Sequence, residues 1–292
     1  MRSRLLSLTA LAAAGCGVLL ACCGVVGGEP GAAGTSAGTT GGQAGGAATT
    51  SHPSGSRAPG PRWVPAPGTT WQWQLSTPVD TAVDAQVFDI DSVANGADVV
   101  RDLHARGRKV ICYVNAGAAE DFRPDYTAFP PQLLGKGDGW PDEKWLDIRR
   151  RGVLRPIMAA RFDMCRQKGF DGVEVDLIEG YRSHTGFPIS AGDQLAYNRM
   201  LAGLAHQRGL SIGLKNDLGQ VSELLDDFDF AINEQCAEYH ECARLTPFIR
   251  AGKAVFHVEY NLANPQFCRQ SAALRFSSMR KNPALDAPRW PC

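Results

Sequence analysis

Beyond residue 62, short runs rich in aliphatic and aromatic side chains alternate with longer stretches whose apolar positions recur every three or four residues. The first pattern predicts strands and the second amphipathic helices. Strands are expected at 71–76 (WQWQLS), 86–91 (QVFDID), 109–115 (KVICYVN), 172–177 (GVEVDL), 211–216 (SIGLKN), 229–235 (DFAINEQ), 254–260 (AVFHVEY) and 274–278 (LRFSS). Helices are expected at 97–106, 153–168, 193–207, 221–227 and 246–251. Gly107, Gly169, Gly209 and Gly252 stand just beyond four of them, where a left-handed residue ends a helix before the chain turns into the next strand. Eight strands, each followed by a helix or a long loop, predict an α/β fold of the (β/α)8 TIM-barrel kind in a single domain, with a doubly wound open sheet as the alternative. No Gly-x-Gly-x-x-Gly follows the first strand, which argues against the dinucleotide-binding form of that open sheet.

Upstream the pattern changes. Arg2 and Arg4 precede an apolar run that ends at Ala21, the charged start and short hydrophobic core of a secretory signal peptide, assigned to 1–22. Leu19-Leu20-Ala21-Cys22 resembles a bacterial lipobox, which makes Cys22 the candidate lipid anchor to a membrane; ordinary cleavage nearby is the alternative. Residues 23–62 are Gly, Ala, Ser, Thr and Pro with almost no large apolar side chain, so burial cannot offset the entropy of ordering them. They read as a flexible linker that holds the body, 63–292, away from the cell envelope. The protein is therefore expected to be extracellular, secreted or lipid-anchored.

Cysteine usage agrees with export. Cys112, Cys165, Cys236, Cys242, Cys268 and Cys292 form an even set in the body, and an oxidising compartment makes pairing the default. Cys236 and Cys242 are close enough to staple a loop, while the spacing selects no pairing for the other four. A zinc site is the competing reading, but His240 stands alone between those two cysteines.

Of the 292 residues 44% are apolar and 21% charged, enough for a sizeable core. Lys+Arg 30 against Asp+Glu 30 gives a net charge of +0, without the basic excess that coats phosphate backbones, so no nucleic-acid partner is expected.

In a parallel barrel the site lies at the C-terminal ends of the strands, and here those ends are acidic. Asp89 and Asp91 close the second strand, Glu174 and Asp176 the fourth, Glu234 the sixth and Glu259 the seventh. A carboxylate inside a barrel is costly unless paired or used, so their convergence predicts a site. Two carboxylates flanking a scissile bond are what glycoside hydrolysis requires, and Asp176 with Glu234, on strands four and six, suit such a pair. Tyr113, Trp140, Trp145, Tyr181, Tyr239 and Tyr260 offer flat faces for pyranose rings, with packing as the alternative, above all for Trp140 and Trp145. His257 reads as a core histidine bonded to a neighbour. A serine nucleophile elbow is missing. Two rivals remain: a metal-dependent hydrolase using Asp89 and Asp91, and a carbohydrate-binding barrel without turnover.

The strings 71–75 (WQWQL), 88–91 (FDID), Cys112-Tyr113, 145–149 (WLDIR), 169–174 (GFDGVE), 213–217 (GLKND), 233–236 (NEQC) and Val258-Glu259-Tyr260 together resemble glycoside hydrolase family 114, the endo-α-1,4-polygalactosaminidases, across nearly all of the body. The resemblance implies a (β/α)8 barrel that cleaves internal α-1,4 bonds of a galactosamine-containing polysaccharide. It implies no cofactor and no metal. Asp176 would be the nucleophile and Glu234 the acid/base of a retaining mechanism, with Asp89, Asp91, Tyr113, Glu174, Lys215, Asn216, Tyr239, Glu259 and Tyr260 as substrate-binding candidates. One departure stands out: the family's fourth-strand string commonly reads Glu-Pro-Asp-Asn, whereas 174–177 reads Glu-Val-Asp-Leu. A cationic, galactosamine-rich substrate would account for surplus carboxylates if Asp89, Asp91, Glu174 and Glu259 met its ammonium groups. Internal neutralisation by Lys215, Arg149 or Arg182 is the alternative.

Overall fold

The computed structural model describes residues 62–292. The expected signal peptide, the candidate anchor Cys22 and all of the expected linker but Arg62 lie outside the described residues. Within them eight parallel strands form the barrel: β1 (Trp71–Gln74), β2 (Val87–Asp91), β3 (Lys109–Asn115), β4 (Gly172–Asp176), β5 (Ser211–Lys215), β6 (Phe230–Glu234), β7 (Val255–Glu259) and β8 (Ser277–Lys281). Each pairs with the next in parallel from β1 through β8. Helices α1 (Ala97–Ala105), α2 (Arg151–Lys168), α3 (Ala191–His206), α4 (Val221–Leu224), α5 (Thr246–Arg250) and α6 (Asn264–Ala273) follow β2 to β7 in turn.

The seam between β8 and β1 is sewn by side chains and a last short strand. The Trp71 indole donates to the Ser277 carbonyl at 2.8 Å. Strand Arg289–Pro291 runs antiparallel along β8, and its Arg289 donates to the Trp71 carbonyl at 2.7 Å.

Both faces of these strands are buried, which is why they read as nearly continuous apolar runs. Alternate residues point to opposite faces. Trp71, Trp73, Val87, Ile111, Phe230, Ile232, Phe256 and Val258 fill the barrel, and Phe88, Ile90, Val110, Val173, Val175 and Leu214 pack outward against Leu154, Met158, Phe162 and Tyr197 of α2 and α3. Gly107, Gly169, Gly209 and Gly252 have φ values of 73°, 93°, 73° and 75°, left-handed values that glycine takes without a Cβ penalty.

Three features differ from the sequence expectation, the first being helix α6 itself, where no helix was expected. The eighth strand is Ser277–Lys281 rather than 274–278, because α6 occupies the chain up to Ala273 and Leu274 caps it. Leu274 and Phe276 alternate like strand residues but seal the helix end against the core. Between β3 and α2 the chain also builds a three-stranded antiparallel sheet, Ala118–Glu120, Leu134–Gly137 and Glu143–Leu146, with the last strand central. Disulfides join Cys112 to Cys165, Cys236 to Cys242 and Cys268 to Cys292. The first ties β3 to α2 and the third ties α6 to the C-terminal residue. His257, rather than His240, approaches the Cys236–Cys242 pair, whose sulfurs are spent on each other.

Candidate active site

The C-terminal ends of β4, β5 and β6 each place one long polar side chain inside the barrel mouth: Asp176, Lys215 and Glu234. Lys215 is buried, and its ammonium lies 2.9 Å from Asp176 Oδ1, 3.1 Å from Glu234 Oε2 and 3.2 Å from Glu174 Oε1. One cation thus holds the nearer oxygens of Asp176 and Glu234 within about 6 Å of each other. The ammonium also sits 4.7 Å from the centre of the Trp73 ring, where the ring face attracts it.

Asp176 collects two further donors. The Tyr113 hydroxyl donates to Oδ2 at 2.8 Å and the Leu177 backbone N–H to Oδ1 at 2.9 Å. Burial by itself would raise this carboxyl, but Lys215 and these hydrogen bonds outweigh it and hold the pKa below the usual value. The Tyr260 hydroxyl donates to Glu234 Oε1 at 2.5 Å, and the Asn216 amide is 3.4 Å from Oε2. Glu234 is the more exposed of the two, 26% against 16% for the side chains.

The residue after each of these three side chains is left-handed: Leu177, Asn216 and Gln235 have φ of 57°, 52° and 63°. The chain therefore turns away sharply, leaving the last inward side chain at the floor of the mouth. Strain of this kind is held at functional sites by the surrounding structure. Two backbone N–H groups, of Ala116 and Gly117, donate to the Asp176 carbonyl at 3.0 Å each. Gly117 lies so close to the Leu177 carbonyl that a Cβ there would overlap it.

Around this centre lies an open groove of about 470 Å³. Of the sequence candidates, Asp91, Tyr113, Asp176, Lys215, Asn216, Glu234 and Tyr260 line it, and Trp140 stands on its bank. The others fall elsewhere. Asp89 and Glu174 point into the barrel but are sealed beneath the mouth. Burial first, and then the charge of Glu174, raises Asp89 well above the usual range; burial, partly offset by Lys215, raises Glu174 to about 7. Glu259 faces outward, because on β7 the inward positions are Phe256 and Val258. Its Oε1 is 2.8 Å from His257 Nε2 and accepts from the Ala237 N–H at 2.8 Å. Tyr239 is exposed in the Cys236–Cys242 loop and does not line the groove. Trp145 is buried, and the Tyr181 ring lies against Gly219 outside the groove lining.

Asp91 is not free for an ammonium group or a metal. Arg123 approaches its Oδ2 at 2.7 Å, and the N–H groups of Val93 and Ala94 donate to Oδ1. Internal neutralisation thus accounts for Asp91 through Arg123 and for Glu174 through Lys215; Arg149 instead pairs with Asp147. Sequence reasoning missed Trp73, Glu120, Phe122, Arg123, Glu143 and Glu179, which also line the groove. Trp73 was legible as an alternating strand residue. Phe122 and Glu143 belong to the inserted sheet and its connections, where no periodicity marked them.

A (β/α)8 barrel whose strand ends bring two carboxylates together at the mouth has the architecture of a glycoside hydrolase. The model of glycoside-hydrolase family GH114 matches residues 52–292, and the chain belongs to that family. Among solved structures it is similar to Aspergillus fumigatus Ega3 in complex with galactosamine, 38% identical with a TM-score of 0.74 over 79% of this chain and 97% of that one. The glycoside hydrolase domain of PelA from Pseudomonas aeruginosa shares the fold, at 12% identity and a TM-score of 0.59 over 74% of this chain and 96% of that one. An uncharacterized protein of Deinococcus radiodurans is 30% identical over 214 residues, 64% of this chain and 67% of its own length. The protein is a glycoside hydrolase.

Proposed function

We propose that this hydrolase cleaves internal α-1,4 bonds of galactosamine-containing polysaccharide with retention of configuration. The observation that carries the reading is the pair bridged by Lys215, whose near oxygens are held within about 6 Å; retaining enzymes place their carboxyl groups roughly 5 Å apart, inverting ones up to about 9 Å. The 38% identity to Ega3, solved with galactosamine, supports the sugar.

Asp176, kept ionised by three donors, attacks the anomeric carbon while Glu234 gives its proton to the departing glycosidic oxygen. The resulting glycosyl ester on Asp176 is opened by water, from which Glu234 takes a proton. Tyr113 and Tyr260 orient the two carboxyl groups, and Lys215 fixes their separation. The enzyme is exported through the 1–22 signal and either secreted or tethered through lipid on Cys22; the three disulfides support an oxidising compartment.

Digestion of deacetylated α-1,4-galactosamine polymer, with product sizing and an NMR readout of the first anomer released, tests the reading. Internal cleavage to short oligosaccharides carrying the α anomer is expected. An intact polymer would overturn the substrate, and initial release of the β anomer would overturn retention.

A further inference from the structure

The four carboxylates expected to meet ammonium groups are sealed, turned outward or bound to Arg123, yet two others in the groove wall have no such partner. Glu179, three residues beyond β4, lines the groove beside the Asp176 and Glu234 pair. Its Oε2 is buried and meets no hydrogen-bond donor. Glu143 opens the central strand of the inserted sheet and lines the same groove. Its Oε2 accepts a neutral amide, from Asn115 at 3.0 Å, and the Asp138 carboxyl stands beside it. Among the described residues neither carboxyl forms an ion pair, although Arg123 and Lys215 stand in the same groove. Those two cations are already taken, by Asp91 and Glu120 and by the Asp176 cluster.

Glu179, with its buried Oε2, and the half-buried Glu143 thus face an open groove without a counter-charge. The surroundings of each are anionic. Glu179 is raised to about 8 by burial and then by Asp176, with Asp217 and Glu234 adding to the effect and Lys215 opposing it. Glu143 is raised to about 8 by burial and then by Asp138, with Glu120 and Asp176 contributing. Near neutral pH both therefore carry protons that a bound cation would expel. Trp140, 60% exposed on the turn between Gly137 and Glu143, presents a ring to the groove on the Glu143 side, a surface suited to the apolar face of a pyranose.

We propose that Glu179 and Glu143 are the groove's ammonium-recognition positions: each pairs with the free amino group of a sugar unit, Glu179 beside the cleaved bond and Glu143 at an outlying unit stacked on Trp140. The inference rests on the amino-sugar substrate proposed above and adds to it that selectivity for the free amine resides in these two side chains. Binding of the cationic sugar then displaces their protons into solvent. N-acetylated units, carrying no charge, displace none.

The test has two arms. In the first, wild type, Glu179→Gln and Glu143→Gln are assayed on deacetylated α-1,4-galactosamine polymer at rising salt. Each variant is expected to raise KM about tenfold, the scale of one lost ion pair of about 1.4 kcal/mol, to flatten the salt dependence of KM, and to change kcat much less. Glutamine is close to isosteric, so a merely structural role would not move the salt slope. In the second arm, wild type is titrated calorimetrically at pH 7 with galactosamine and with N-acetylgalactosamine in buffers of different ionisation heat; neither monomer offers a bond to cleave. Proton release with galactosamine alone is expected. If wild type cleaves the polymer while both variants keep its KM and salt slope, or if galactosamine binds without releasing protons, the inference is overturned. If wild type leaves the polymer intact, it is the substrate reading that has failed.

Discussion

Lys215 and Glu174 meet at 3.2 Å inside the barrel, and neither side chain reaches solvent. Burial alone would lower the lysine's pKa, but Asp176, Glu234 and Glu174 together raise it well above the usual value. The ammonium is therefore permanent, and it is the single positive charge among the three carboxyl groups it touches. Removing one partner of a buried ion pair typically costs about 3–5 kcal/mol, because the remaining charges lose their compensation. Lys215→Met is expected to lose stability on that scale in urea denaturation and to lose most turnover. A variant that unfolds at the wild-type urea concentration would show that the cluster is neutral without the lysine.

The division of labour proposed for Asp176 and Glu234 predicts different responses to the leaving group. Asp176→Asn removes the proposed nucleophile and is expected to lower kcat by about a thousandfold or more on any substrate. Glu234→Gln removes the proton donor, so a glycoside with an acidic phenol as leaving group should recover the first step and accumulate the glycosyl ester on Asp176, visible by mass spectrometry of the intact protein. Equal loss on both kinds of substrate would reverse or remove the assignment.

Several raised carboxyl pKa values give stability a defined dependence on pH. Glu174, raised to about 7, and Glu179 and Glu143, raised to about 8, bind protons in the folded state that the unfolded chain releases above its ordinary value of 4.5. Their contribution is complete below that value and is lost as pH climbs through 7 and 8. Asp176 and Asp91 are lowered instead, so theirs is lost only on acidification below the ordinary carboxyl range. The melting temperature should consequently be higher at pH 5.5 than at pH 8.5, each proton adding up to about 1.4 kcal/mol per pH unit within its window. Glu179→Gln should narrow the difference. A melting temperature that rises from pH 5.5 to 8.5 would contradict the burial of these groups.

The barrel was legible because its strands are short, apolar and regularly punctuated by glycine, and the strand ends carried their chemistry openly. Faces were harder to read. Inspecting strand ends for acids without assigning alternation puts Glu259 in the groove, although Phe256 and Val258 fix it on the outer face beside His257. Charge was harder still. The sequence counts carboxylates but does not show that Arg123, on a loop after the inserted sheet's first strand, turns back onto Asp91. Glu143 and Glu179 lie outside any periodic segment, and only the tertiary fold brings them to the mouth.

The Cys236–Cys242 disulfide closes a loop that leaves β6 directly after Glu234. Its sequence separation of 6 is short, so the entropy removed from the unfolded chain corresponds to about 2 kcal/mol. The outward Glu259 fastens the same loop by accepting from the Ala237 N–H. Replacing both cysteines with alanine should cost stability on that scale while KM changes little, since Tyr239, exposed in the loop, does not line the groove. Peptide mapping that finds both thiols free in protein prepared under oxidising conditions would remove the staple.

The last prediction concerns the leucine that stands where the related string carries asparagine. Leu177 has φ of 57°, follows Asp176 directly and donates its N–H to that carboxylate. A leucine in the left-handed region pays for its Cβ, whereas asparagine visits it readily. Gly117 packs against the Leu177 carbonyl and its own N–H holds the Asp176 carbonyl, so the turn is locked from the other side and the leucine has no route to a relaxed conformation. Leu177→Asn keeps the Cβ, relieves a strain of about 1 kcal/mol, and puts an amide in the groove wall beside Asp176. The variant is expected to unfold at higher denaturant concentration than wild type and to bind galactosamine oligosaccharide more tightly, by lower KM with kcat nearly unchanged. A less stable variant would show that the apolar contacts of Leu177 outweigh its backbone strain, and an unchanged KM would show that the groove wall at this position does not touch the sugar.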